Sequence, residues 1–218
     1  MEIVPALLAE NFEDFLVRLK KAESFARYVQ IDLMDGLFVR TESFSAQKLN
    51  TIKTSLSFEV HLMVEDPAAY VSSISNASLE KVVFHYESRV DHHLLIAAIR
   101  KKRLKAGLAI KPETALKQWK GLAQDIDTLL FLTVDPGSYG SPFKPEVLGK
   151  IAEARQLFPD KVIGVDGGVS LDNLKTFGKL GVDYVCVGSR IFLSEDPEKN
   201  YRLFLDRVEH DSREGAGD

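Results

Sequence analysis

The chain has 218 residues, 28 of them basic and 32 acidic, for a formal net charge of −4, and 45% of it is apolar with 28% charged. That length supports one globular domain with a sizeable core, and a mildly acidic chain without a basic run lacks the electrostatic footprint of nucleic-acid or anionic-membrane binding. No stretch approaches the roughly 20 apolar residues of a membrane span, and the opening MEIVPALLAENFEDF carries acids where a signal peptide carries positive charge, so the expected location is cytoplasmic.

Taken in chain order, short β-branched runs alternate with longer amphipathic stretches. EIVPALL reads as a strand, and Asn11, with Asp14 three residues on, caps a helix over FEDFLVRLKKAESF. The strand YVQIDLM is followed by helical spacing in SAQKLNTIKTSL, and SFEVHLM by helical spacing in DPAAYVSSISNA. KVVFHY, KAGLAI, TLLFLTV and VIGVD are the next strands; Ser170 then precedes the helical LDNLKTFGKL, with Gly178 and Gly181 near its end. DYVCVG is the last strand, and the polar HDSREGAGD predicts a frayed tail, so the domain is expected over 1–208 and disorder over 209–218. The single cysteine, Cys186, lies in that last apolar strand and is expected to be a buried core residue.

Strict alternation implies a parallel sheet with right-handed crossovers, which an open doubly wound sheet and a closed barrel both satisfy. The count of eight units and the polar residues at strand ends favour a single-domain α/β fold of the (β/α)8 TIM-barrel type, compact beside the roughly 250 residues of a typical barrel.

Barrel chemistry collects at the carboxyl ends of the strands, and strand residues two apart share a face. In YVQIDLM this places Gln30, Asp32 and Met34 together, in FEVHLM His61 with Met63, and Asp166 ends VIGVD. Two carboxylates and an imidazole on separate strands suit a divalent-metal site or an acid/base pair, the alternative being that each is satisfied by neighbouring backbone. Glycines in DPGSYGSPF, DGGV and VGSR form a second group. Gly167, Gly168, Gly188 and Ser189 stand where barrels bind phosphate on backbone amides, although strand-to-helix turns use glycine anyway. Arg190 either adds charge to that site or faces solvent.

The segments IVPALLAENF, QIDLMDGLFV, FEVHLMVEDP, VVFHYES, KAGLAIKPET, LTVDPGSYGSPF, VIGVDGGV and VGSRIF, from Ile3 to Phe192, resemble the ribulose-phosphate 3-epimerase family. The resemblance implies inversion of C3 of a ketose phosphate, D-ribulose 5-phosphate to D-xylulose 5-phosphate or a related sugar, with Asp32 as proton acceptor and Asp166 as proton donor. It implies one divalent cation, manganese, zinc, iron, cobalt or magnesium, on Asp32, His61 and Asp166, with Gln30 standing where the family has a second histidine. Met34 and Met63 match residues covering the planar intermediate, and His61, Gly137, Ser138, Tyr139, Gly140, Gly167, Gly168, Gly188 and Ser189 match substrate and phosphate contacts. The implied partner is a small ketose phosphate, and a homo-oligomer is compatible with the resemblance. Departures from the family pattern gather in the site: Gln30, Ala6, Ala9, Leu37, Arg40, Thr41, Lys111, Leu132 and the run PGSYGSP. They leave two alternatives, a non-catalytic phosphosugar-binding barrel and other phosphosugar chemistry such as a lyase or decarboxylase.

Overall fold

The computed structural model describes residues 1–137 and 139–215. Among them eight parallel strands close into a barrel in simple sequence order. They are β1 Glu2–Leu8, β2 Tyr28–Met34, β3 Ser57–Met63, β4 Leu79–His85, β5 Lys105–Ile110, β6 Thr128–Leu132, β7 Val162–Asp166 and β8 Tyr184–Val187. The helices are α1 Phe12–Ala22, α2 Pro67–Ser73, α3 His92–Lys101, α4 Leu116–Trp119, α5 Val147–Leu157, α6 Leu174–Lys179, α7 Ser189–Phe192 and α8 Pro197–Gly215. The single-domain (β/α)8 barrel expected from the alternation is therefore the architecture found.

Both faces of each strand are buried, which is why the strands read as near-continuous apolar runs. The outward residues Leu7, Ile31, Leu33, Phe58, Val60, Leu62 and Phe84 join the helices' Phe15, Leu19, Ile99, Ile151 and Phe177 in one core. The inward residues are Val4, Ala6, Val83, Ala109, Leu130, Leu132, Tyr184 and Cys186, packed with Tyr28. At about 1.5–3 kcal/mol for each large apolar side chain taken out of water, the outer layer dominates stability, and it leaves the barrel interior free to hold polar groups.

Local signals held unevenly. Asn11 caps α1, its side chain accepting from Asp14 N, and Asp66 caps α2. The helix expected over SAQKLNTIKTSL is only a 3-10 turn at Ala46–Thr51, without a side-chain cap, followed by Ile52 in extended conformation. Ser170 does not begin a helix: its N–H is taken by Asn173 Oδ1, and α6 starts at Leu174. The tail expected over 209–218 is helical as far as Gly215, supported by the i,i+4 pairs Arg207–Asp211 at 3.0 Å and Arg213–Glu209 at 3.4 Å. Residues 216–218 lie outside the described residues. No described helix is long and apolar enough to cross a membrane.

Candidate active site

The inward-facing period of β2, β3 and β7 brings Asp32, His61 and Asp166 together, their candidate ligand atoms all within 4.8 Å of one another. His61 Nδ1 lies 3.0 Å from Asp32 Oδ1 and 3.3 Å from Asp166 Oδ2. Gln30, one step below Asp32 on β2, donates from Nε2 to both carboxylates, at 2.9 Å to Asp32 and 2.8 Å to Asp166, while its Oε1 accepts from Cys186 Sγ at 3.1 Å. The amide is thus a cross-link between the two acids. Cys186 is the buried core residue expected of it, and its thiol also fixes which way that amide points.

Burial pushes Asp32 up, the charge of Asp166 adds to this, and hydrogen bonds from His61 and Gln30 pull it back to about 6. Burial alone would depress His61, but hydrogen bonds to Asp166 and Asp32 and their charges raise it to about 10, so that a proton sits between the carboxylates. His61 Nε2 faces His85 Nε2 at 3.0 Å, and His85 Nδ1 faces Glu87 Oε2 at 3.2 Å. Glu87 Oε1 accepts from Lys111 N at 3.0 Å and from Thr114 Oγ1. Although burial opposes it, those bonds hold Glu87 down to about 2, while burial and the neighbouring His61 hold His85 down to about 4. Ionised Glu87 only accepts, so neutral His85 carries its proton on Nδ1 and presents a bare Nε2 to the Nε2–H of His61. His61 Nδ1 is thereby left facing the two acids, where it can hold a proton or could ligate a cation.

The sequence reading missed His85 and Glu87. The signal was present, because period two in KVVFHYE puts Lys81, Val83, His85 and Glu87 on one face. It likewise passed over Glu59, which shares the face of His61 on β3.

A cavity of about 450 Å³ opens above the acids, lined by Asp32, Met63, Leu132, Asp166, Cys186 and the glycine segments. Gly137, Gly140, Gly167, Gly168, Gly188, Ser189 and Tyr139 all border it, and so do Ala6 and Arg190. Ser138 lies outside the described residues. Met34 is buried beside Met63 with Val39, while His61 and Gln30 lie fully buried beneath the acids. Gly167 and Gly168 turn with φ of 96° and 60°, and a Cβ on Gly167 would come within 2.3 Å of Val134. Of the departures, Leu37 and Arg40 are exposed, and Lys111 Nζ stands 3.9 Å from the centroid of the Phe38 ring.

A model of the ribulose-phosphate 3 epimerase family matches residues 2–192. The chain belongs to the ribulose-phosphate 3-epimerase family. Curated relatives include the ribulose-phosphate 3-epimerases of Treponema pallidum, 32% identical over 87% of this chain and 90% of that one, and of Candida glabrata, 29% identical over 94% and 92%. These relatives are named as epimerases, isomerases acting on carbohydrate phosphates. Among solved structures, 3-hexulose-6-phosphate synthase from Salmonella typhimurium superposes with a TM-score of 0.74 over 97% of this chain and all of its own, at 17% identity, a likeness of fold.

The donor set suits a divalent cation: two carboxylates and an imidazole nitrogen, the nitrogen already turned toward the acids by His85. Gln30 presents hydrogen-bond donors to the acids, so the three-residue set is the one that fits a cation without rearrangement.

Proposed function

We propose that this protein is a ketose-phosphate 3-epimerase, with D-ribulose 5-phosphate and D-xylulose 5-phosphate as its substrate pair or a close relative of them. The observation that carries the reading is the pairing of Asp32 and Asp166, three strands apart around the barrel, at the floor of one cavity rimmed by glycine turns. Inverting a carbon next to a ketone requires removing its proton on one face and returning one on the other. Asp32 takes the proton from C3, and Asp166 delivers one to the opposite face of the planar enediolate. Met63 gives that planar species an apolar wall, and Met34 packs beneath the same rim. Gly167, Gly168, Gly188 and Ser189 offer backbone amides to the phosphate, which serves as a handle holding C3 in register. A divalent cation held by Asp32, His61 and Asp166 would stabilise negative charge developing on the ketone and hydroxyl oxygens. Its oxygen and nitrogen donors admit manganese, iron, zinc, cobalt or magnesium.

The test incubates purified protein, loaded in turn with manganese, zinc or iron, with ribulose 5-phosphate in deuterated water. The reading expects xylulose 5-phosphate with deuterium at C3, and expects Asp32→Asn and Asp166→Asn each to lose about 10²–10⁴-fold in kcat. Absence of turnover with every metal and related ketose phosphate overturns it. One observation favours a second reading, a binding protein without turnover: the Gln30 amide bridges the two acids. Phosphosugar binding with no deuterium incorporation would select that reading.

A further inference from the structure

The pairing of β1 with β8 stops at Pro5 and Val187, whereas the pairing of β1 with β2 runs on to Leu8 and Asp32. In a parallel ladder, a residue opposite Leu7 would bond to Ala6 O and Leu8 N. The register puts Ser189 there, but Gly188, at φ −98° and ψ −83°, turns the chain away into α7. The Tyr139 hydroxyl occupies the vacated place. It donates to Ala6 O at 2.9 Å and accepts from Leu8 N at 3.0 Å, both roles that one hydroxyl can fill.

The rest of Tyr139 is fixed as firmly. Its ring lies against Gly188, where any Cβ would approach within 2.4 Å, and the Arg18 guanidinium stands 5.3 Å from the ring centroid while donating to Leu8 O. The loop that carries Tyr139 joins β6 to α5, and its base is closed by Lys144 N donating to Thr133 O at 2.7 Å. Tyr139 also borders two spaces. One is the 450 Å³ cavity over Asp32 and Asp166; the other is a pocket of about 330 Å³ reaching Glu10, Asn11, Asp14 and Arg18.

We propose that Tyr139 is a specificity-determining residue: its hydroxyl completes the β1 ladder in place of β8 and so fixes the β6–α5 loop, and its ring walls the cavity off from the pocket beside Arg18. The wall confines the site to short phosphorylated ketoses and denies longer ones the second space. The specificity half of this inference rests on the epimerase reading; the ladder half does not.

Hydrogen exchange on the full-length, ligand-free protein tests the ladder. In Tyr139→Phe, which keeps the ring, exchange at the Leu8 amide accelerates about tenfold, and unchanged exchange there overturns the ladder role whatever the enzyme's activity. Specificity is read as the ratio of kcat/KM for ribulose 5-phosphate to that for fructose 6-phosphate. Tyr139→Ala, which opens the wall, lowers this ratio by about tenfold or more. Tyr139→Phe preserves the ratio and raises KM more than it lowers kcat. An unchanged ratio in Tyr139→Ala, or a Tyr139→Phe ratio that collapses as far as that of Ala, overturns the wall. Should the protein bind without turnover, the ratio of calorimetric dissociation constants for the two phosphates gives the same decision. If Tyr139→Ala does not fold, Tyr139→Leu, smaller than the ring but apolar, takes its place with the same expectation.

Discussion

His61 Nδ1, 3.0 Å from Asp32 and 3.3 Å from Asp166, is the atom at which a proton and the proposed cation would compete. With His61 raised to about 10, that nitrogen is protonated in the metal-free protein at neutral pH, and a cation must displace the proton to bind. On the proposed metal site, manganese binding should therefore release about one proton from His61 at pH 7, with an affinity that rises with pH, both measurable by calorimetry in buffers of different ionisation enthalpy. Binding without proton release, at an affinity independent of pH, would contradict the assignment. At this scale the acids and His61 were legible, because each lies on the single inward face of its own strand. The direction of the Gln30 amide was not legible: it is set by Cys186 from β8, 156 positions away in the chain.

Among elements, the lower interior of the barrel shows what the strand pattern hid. Glu59 on β3 is fully buried and pairs with Lys81 Nζ on β4 at 2.5 Å, while Tyr28 OH donates to it at 3.1 Å. Lys81 also stands 3.4 Å from Tyr184 OH and 4.5 Å from the centroid of that ring, and Gly164 on β7 leaves room for it, since a Cβ there would meet the ring at 2.2 Å. Glu59 Oε1 has no hydrogen-bond partner among the described residues, so the carboxylate depends on one lysine and one phenol. Lys81→Met should destabilise the protein by about 3–5 kcal/mol in urea unfolding, by stranding a buried charge. Lys81→Met combined with Glu59→Leu should recover most of that loss, and a double variant no more stable than the single would refute the account. Element ends depend on caps and ion pairs as well as on local composition. The 3-10 turn at Ala46–Thr51 lacks a cap, and α8 outlasts the polar composition of its end because its ion pairs recur every four residues.

For the molecule as a whole, pH dependence follows from groups whose protonation changes on unfolding. His85 is held near 4 in the fold, against an ordinary value of 6.5, so below pH 6.5 the unfolded chain binds a proton that the native chain refuses. Stability is thus lost as pH falls from about 6.5 towards 4, by on the order of a few kcal/mol. Glu87, held at about 2, adds stability above its unfolded value near 4.5 that disappears as pH falls towards 2. Asp32, raised to about 6, acts in the opposite sense between pH 6 and 4, so the informative quantity is the difference between wild type and His85→Gln. Urea unfolding at pH 6.5 and 4 should show that difference moving against wild type as pH falls, and a constant difference would remove His85 from the account.

The primary structure carries the alternation, the strand cores and the period-two faces bearing Asp32, His61 and Asp166, because these depend on spacing within one element. It also carried the glycines whose turns rim the cavity. The relations between strands far apart in sequence arise only on folding: Gln30 bridging β2 to β7 under the direction of β8, Glu59 neutralised by Lys81, His85 orienting the ring of His61, and Tyr139 filling the ladder that β8 leaves open. Barrel closure is the cause. Hydrophobic periodicity tells each strand which face to bury, but which polar groups meet inside depends on the register and stagger with which the eight strands return to the first.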